Sequence, residues 1–526
     1  MGSWQLTSIS YGYDAASNRT SFTDPENGSS SYVYDTLNRL QTLTPPTAIS
    51  SGSFGFGYDA LSRRTSLTRP NTVNTSYGYD TLSRLLSVTH AKGGATLDGA
   101  TYTVDNAGNR TAKSDLYAGV TTSYGYDNIY ELLSATQGGS TTESYTYDPV
   151  GNRLTALGSA TWTYNTSNEL NSRPGAAYAF DANGNTIVKT DGTGSTSYTW
   201  DFENRLTSVI LPGSGGTVSF LYDPFGRRIY KSSSSGTSIY AYDGDNLVEE
   251  TNASGGVVAR YSQGLNIDEP LAMLRTGATS FYQADGLGSV TSLTNTAGAA
   301  AQTYTYDSFG NILATTGSLV NSFQYTGREF DPETSLYYYR ARYYDPGTGR
   351  FLREDPVRFA DGHNFYSYVR NNPVNRKDPL GLWQVDIGGG IGLGAELTFG
   401  SNNGQWNFGL YTGYGFGFFG SLDPVDDPGC HYFGAHGGTR TEGGLGFLKY
   451  ASLSTEITEN PEYPGGLEGQ VRGNVNLPGV SSTWNPANPE EAPHGQWGGG
   501  EGGFAGLGFH FYSPPNQSSE CGCESN

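Results

Sequence analysis

Aromatic and polar positions alternate in short blocks along the first half of the chain: Tyr11-Gly12-Tyr13-Asp14, Tyr32-Val33-Tyr34-Asp35, Tyr77-Gly78-Tyr79-Asp80, Tyr124-Gly125-Tyr126-Asp127 and Tyr145-Thr146-Tyr147-Asp148. Rings two residues apart fall on one face of an extended strand. Looser copies end at Asp59, Asp105, Asp181, Asp201, Asp223, Asp243 and Asp307, and one slot carries Asn165. From Asp14 to Asp148 successive aspartates lie 21 to 25 residues apart. Each block is followed within a few residues by a second element, such as Asn18-Arg19-Thr20, Asn38-Arg39-Leu40, Ser83-Arg84-Leu85 or Asn152-Arg153-Leu154.

The pattern predicts a repeated hairpin. The Tyr-x-Tyr segment is the outgoing strand, and the Arg-Leu or Arg-Thr element begins the return. Between them Asp and Asn bond their own backbone and tolerate left-handed conformations, so they supply the turn. Asp and Arg a few residues apart can pair across it. One hairpin cannot bury its aromatic face alone, whereas stacked copies make a continuous sheet. Any single Tyr or Asp of the array therefore reads as scaffold rather than as a catalytic group.

Composition sharpens the class. The 526 residues include 74 Gly and 39 Tyr but only 2 Met, with 15% charged residues, so amphipathic helices are excluded as a common element. An all-β fold follows. The formal net charge of −20 opposes binding of the whole chain to nucleic acid or anionic lipid. Three cysteines are too few for a disulfide framework. The start, Met1-Gly2-Ser3-Trp4, shows no basic and apolar signal segment, and no stretch is apolar for long enough to cross a membrane as a helix.

From Tyr282 the blocks become denser. Tyr282-Gln283-Ala284-Asp285-Gly286-Leu287-Gly288-Ser289 is followed by Tyr304-Thr305-Tyr306-Asp307, Tyr325-Thr326-Gly327-Arg328-Glu329 and Leu336-Tyr337-Tyr338-Tyr339-Arg340-Ala341-Arg342-Tyr343-Tyr344-Asp345-Pro346. Then come Gly349-Arg350-Phe351-Leu352, Asp355-Pro356, Asn371-Asn372-Pro373 and Asp378-Pro379-Leu380-Gly381-Leu382. Asp355 and Asp378 each precede proline, which fixes the local backbone. If the fold brings them together they can share a proton, one activating water while the other protonates a leaving amide. Arg350, then Arg342, then Arg353 are the candidates for a guanidinium beside the pair.

Over residues 5–382 the sequence resembles the tyrosine–aspartate (YD) repeats of bacterial Rhs proteins, toxin-complex C components and teneurins. The ordered motifs after Tyr282 resemble the Rhs repeat-associated core. The resemblance implies a spiral, hollow β-shell around a cargo polypeptide, here incomplete because the repeats are few. It also implies autoproteolysis by an aspartic-protease-like site, with Asp355 and Asp378 as the acidic pair, Arg350 beside them and Leu382–Trp383 as the scissile bond. Where the family shows Gly three residues after the first aspartate, this chain has Arg358, a change expected to shift the loop carrying Asp355.

Three regions are expected: the shell over 1–280, the core over 281–382 and a variable domain over 383–526. The last holds 33 Gly and 15 acidic residues against Arg440, Lys449 and Arg472. Its alternation of apolar residues with Gly predicts strands. Cys430, His431 and His436 are ligand types without a familiar metal spacing, so no metal and no cofactor is expected. The reading is a toxin or effector scaffold, exported to the cell surface or medium, with its own C-terminal domain as cargo and with a secretion component and an immunity protein as partners. The alternative is an uncleaved surface protein that binds carbohydrate or neighbouring cells through aromatic faces.

Overall fold

The computed structural model describes residues 8–382, save 160 and 359–361, and beyond them the backbone of the strands from Val385–Asp386 to Leu507–His510. Contacts divide the chain into residues 1–390 and 391–526. The described elements are strands with short 3-10 turns, which makes the protein all-β.

In the first unit the strands from Ser10–Tyr13 to Arg153–Ala156 form one 14-stranded sheet in strict sequence order. Those from Thr163–Tyr164 to Ile312–Gly317 form a second, of 16 strands, also in sequence order. Neighbours within both are antiparallel, and the sheets stay open. The second sheet runs across residue 280 without interruption, so the expected shell and core regions share it. A four-stranded sheet follows: Glu329–Asp331, Leu336–Tyr339, Arg342–Asp345 and Arg350–Phe351. Arg376–Lys377 pairs with Val385–Asp386.

The repeat turn explains the spacing of the motif. At Asp35 the backbone N–H donates to the Arg39 carbonyl (2.9 Å) and Asn38 N–H donates back to the Asp35 carbonyl (3.0 Å). The carboxylate Oδ1 accepts the N–H groups of Leu37 (2.9 Å) and Arg39 (3.0 Å), while Oδ2 accepts Arg39 Nε (2.7 Å). Asn38 carries φ +58°, the left-handed position that Asn, Ser or Gly fills in most repeats and Tyr130 in one. The same turn recurs at Asp59, Asp80, Asp201 and Asp223, each with an Arg four residues on. At Asp105, Asp148 and Asp181 an Asn takes that place.

A second device joins repeats. The tyrosine just before each aspartate donates its hydroxyl to a carbonyl of the preceding repeat: Tyr34 to Arg19, Tyr58 to Leu40, Tyr79 to Arg64 and Tyr147 to Leu132, all at 2.9 Å. The first tyrosine of the pair packs inward, as Tyr32 and Tyr145 do, while the residue between is exposed, as Val33 is. Arginines five residues after an aspartate face inward and reach distant strands. Arg19 pairs with Asp243, Arg64 with Glu269, and Arg228 with Asp331 and Glu329. The two large sheets also share a core, in which Phe22, Leu43, Phe54 and Leu67 meet Val248, Leu271 and Phe281.

The second unit contains a four-stranded antiparallel sheet between Glu396–Asn402 and Ala435–Thr441, and a five-stranded sheet in which Leu507–His510 runs parallel to Ala451–Glu459. The expected strands of the tail are present. Cys430 and His431 lie outside the described residues, as do the side chains of His436 and of every residue from Trp383 on.

Candidate active site

The four-stranded sheet places the candidate site. Its alternating tyrosines build a cluster of Tyr325, Tyr337, Tyr339, Tyr344, Phe351 and Tyr368, all but sealed from solvent. Across the hairpin Tyr339 pairs with Arg342, leaving Arg340 and Ala341 as a two-residue turn. Arg342 therefore leaves the strand end beside the aromatic cluster, its guanidinium carbon 3.6 Å from the centre of the Phe351 ring.

Arg342 Nη2 lies 2.8 Å from Asp355 Oδ2 and 3.2 Å from Asp378 Oδ2. All three side chains are buried, at 1%, 3% and 2% exposure. The two aspartates, 23 residues apart in sequence, are thus brought onto one nitrogen. Arg342 Nε donates to the Gly381 carbonyl (2.5 Å) and Nη1 to that of Phe365 (3.1 Å), so the fork is fully engaged. Burial pushes the Asp355 carboxyl up to about 6; Arg342 opposes that rise and the Asp378 charge adds to it.

Each aspartate keeps part of the repeat turn, although the Asp355 N–H donates to the Phe365 carbonyl (2.9 Å) rather than to a carbonyl four residues on. Arg358 N–H donates to the Asp355 carbonyl (3.0 Å), Val357 N–H donates to Asp355 Oδ1 (2.9 Å), and Arg358 carries φ +50°. At Asp378 the residue three on is Gly381, at φ +69°, and Leu382 N–H donates to Asp378 Oδ1 (3.1 Å). A Cβ on Gly381 would run into the Tyr339 carbonyl oxygen and lie 3.0 Å from Arg342 N. What also differs from the repeats is the residue four on. It is Phe359 after Asp355 and Leu382 after Asp378, neither with a polar side chain. Arg342 reaches both Oδ2 atoms.

The Arg358 loop departs from the repeat turn: the left-handed arginine, at a cost of about 1 kcal/mol, keeps its N–H on the Asp355 carbonyl, but the Asp355 N–H turns to the Phe365 carbonyl (2.9 Å). Arg350, first among the candidate guanidines, is corrected. Its Nη1 donates to Asn152 Oδ1 (3.1 Å) and its Nη2 to the Asn168 carbonyl, with Tyr164 and Tyr366 against its faces. Two neighbouring repeat turns capture it, and the arginine between the carboxylates is Arg342. Arg353 donates to the Ala341 carbonyl (2.8 Å), and burial followed by Arg342 pushes it down to about 10. Leu382 ends the described stretch, with its N–H on Asp378; Trp383 lies outside the described residues.

A stacked-hairpin shell with a buried tyrosine core defines the class as a YD-repeat protein. The teneurin YD-shell model matches residues 109–374 and the RHS repeat model residues 58–95. The chain belongs to the teneurin YD-shell family, and so to the Rhs-type YD-repeat proteins. The tRNA3(Ser)-specific nuclease WapA of Bacillus spizizenii is 32% identical over 260 residues, which cover 46% of this chain and 11% of the relative. The toxin subunit YenC2 of Yersinia entomophaga is 49% identical over 63 residues, 12% of this chain and 6% of the relative. The chain thus spans a small fraction of the length of these relatives. Among solved structures, the TcdB2-TccC3-Cdc42 crystal structure aligns with a TM-score of 0.62 at 20% identity, over 72% of this chain and 22% of that one. The Photorhabdus luminescens Tc holotoxin pore aligns with a TM-score of 0.61 at 20% identity, over 73% and 22%. At that identity the likeness concerns the fold.

Proposed function

We propose that the protein is an encapsulating scaffold of a toxin or secreted effector that cuts itself once, between Leu382 and Trp383, to separate residues 383–526 as its cargo. The observation that carries the reading is the buried Asp355–Arg342–Asp378 triad with the Leu382 N–H held on Asp378. Two carboxyls sharing one cation in a dry site suit opposite protonation states. Asp378, as the carboxylate, takes a proton from water while the water oxygen bonds to the Leu382 carbonyl carbon. Asp355, as the acid, gives its proton to the Trp383 nitrogen as the C–N bond breaks. The products are a Leu382 carboxyl group and a Trp383 amine. Export to the surface or medium and a toxic activity of the tail belong to the same proposal, supported by relatives named as toxins and nucleases.

Denaturing electrophoresis of the purified chain tests it. Two fragments are expected from the parent, and one uncut band from Asp378→Asn. Because the acid form of Asp355 is required, the rate should fall as pH rises through about 6. A parent chain that stays whole at every pH overturns self-cleavage.

A further inference from the structure

We propose that Arg340 is a positioning residue that fixes which peptide bond the aspartate pair meets. The inference rests on the self-cleavage reading. Three successive residues of one hairpin turn hold three successive carbonyls of the Asp378–Leu382 segment. Arg340 Nη1 donates to Pro379 (2.5 Å), Ala341 N–H to Leu380 (3.1 Å), and Arg342 Nε to Gly381 (2.5 Å). The segment is therefore read by its backbone, one carbonyl at a time, up to Gly381, one residue short of the candidate scissile bond's Leu382. A slip of one residue would turn every carbonyl away from its donor and move Leu382 off Asp378.

Of the three donors, Arg340 is the one tied to the turns of the second large sheet rather than to the aspartate pair. Its Nη2 contacts Asp268 Oδ1 (2.9 Å) and donates to the Asp245 carbonyl (3.0 Å). Asp268 is itself buried and paired with Arg328. The Arg340 backbone is left-handed, at φ +55°, which aims the side chain across the turn. Arg340 is thus a strut between a fixed carboxylate in the shell and the Pro379 carbonyl, which is buried and accepts its hydrogen bond. It touches neither Asp355 nor Asp378 among the described contacts, so its effect on cleavage is geometric: it sets register rather than charge at the pair.

The test uses the full chain with Arg340→Ala and Arg340→Lys, following cleavage by intact-mass spectrometry across pH. Arg340→Ala should fold, cut on the order of tenfold to a hundredfold more slowly, and keep the midpoint of the parent's pH profile. Arg340→Lys, whose ammonium group can still reach both Asp268 and the carbonyl, should recover most of the rate. Arg340→Met keeps the stem packing and carries the same expectation if Arg340→Ala proves unfolded by circular dichroism. Parental rates in Arg340→Ala or Arg340→Met overturn the proposal. A shifted pH midpoint, or a lysine variant as slow as alanine, also overturns it, because register would not be what was lost. An uncut parent would instead overturn self-cleavage itself, so the two failures are distinguishable.

Discussion

In the repeat array and in the core the chain places an aspartate in related turns, yet the two turns hold it differently. Asp35 spends Oδ1 on two backbone N–H groups and Oδ2 on Arg39, four residues on. Asp355 spends Oδ1 on Val357 N–H and has Phe359 in the place of Arg39. Its Oδ2 turns to Arg342, shared with Asp378, whose fourth residue is Leu382. The repeat turns lie near the surface, and hydrogen bonds hold the Asp35 carboxyl below its usual value. The core turn is sealed, and burial pushes the Asp355 carboxyl up. A structural turn becomes a candidate chemical site when its local clamp is removed and its surroundings are dried. The Oδ1 contact to the N–H two residues on and the left-handed third residue are common to both, and the change of the fourth residue together with burial decides the chemistry.

The largest break in this comparison should come from Arg342→Met. It strands two buried carboxyls without their cation, and a loss of about 3–5 kcal/mol is expected from urea unfolding, together with loss of cleavage. A small change in the unfolding midpoint would mean that the triad is not held as described. Next comes Asp59→Ala in the array, which removes the acceptor for two backbone N–H groups and for Arg63. It should cost about 1–2 kcal/mol, and Asp59→Asn, which keeps Oδ1, distinctly less. Equal losses in the two variants would show that the carboxylate charge matters more than the turn. The smallest effect belongs to Tyr58→Phe, which leaves the Leu40 carbonyl without its hydroxyl donor. About 0.5–1 kcal/mol is expected, read as a lower melting temperature with cleavage unchanged.

Much of this is legible in the sequence. The alternating Tyr-x-Tyr blocks and the Asp–Asn turns gave hairpins, and the proposed Asp–Arg pairing holds at Asp35, Asp59, Asp80, Asp201 and Asp223. It fails at Asp14. There the fourth residue is Asn18, and Arg19, one residue further, turns inward to Asp243. One residue along a strand reverses the face, and the bulge beside each turn hides which side an arginine takes. The same blindness misplaced Arg350. It stood ahead of Arg342 in the order of candidates, whereas the antiparallel pairing of Tyr339 with Arg342 is what delivers a guanidinium to the pair. A signal was present in the sequence: Phe359 and Leu382 are apolar at a place where most of the array has Arg or Asn, which marks two aspartates whose fourth residue offers no polar side chain.

The most direct measurement is the titration of individual aspartate carboxyls by carbon-13 NMR in the uncut Asp378→Asn chain. Burial, the larger cause of the rise, survives that substitution. Asp355 should titrate well above the usual aspartate range, toward 6, while Asp35, Asp59 and Asp80 titrate below it. An Asp355 carboxyl that titrates together with the turn aspartates would contradict the account.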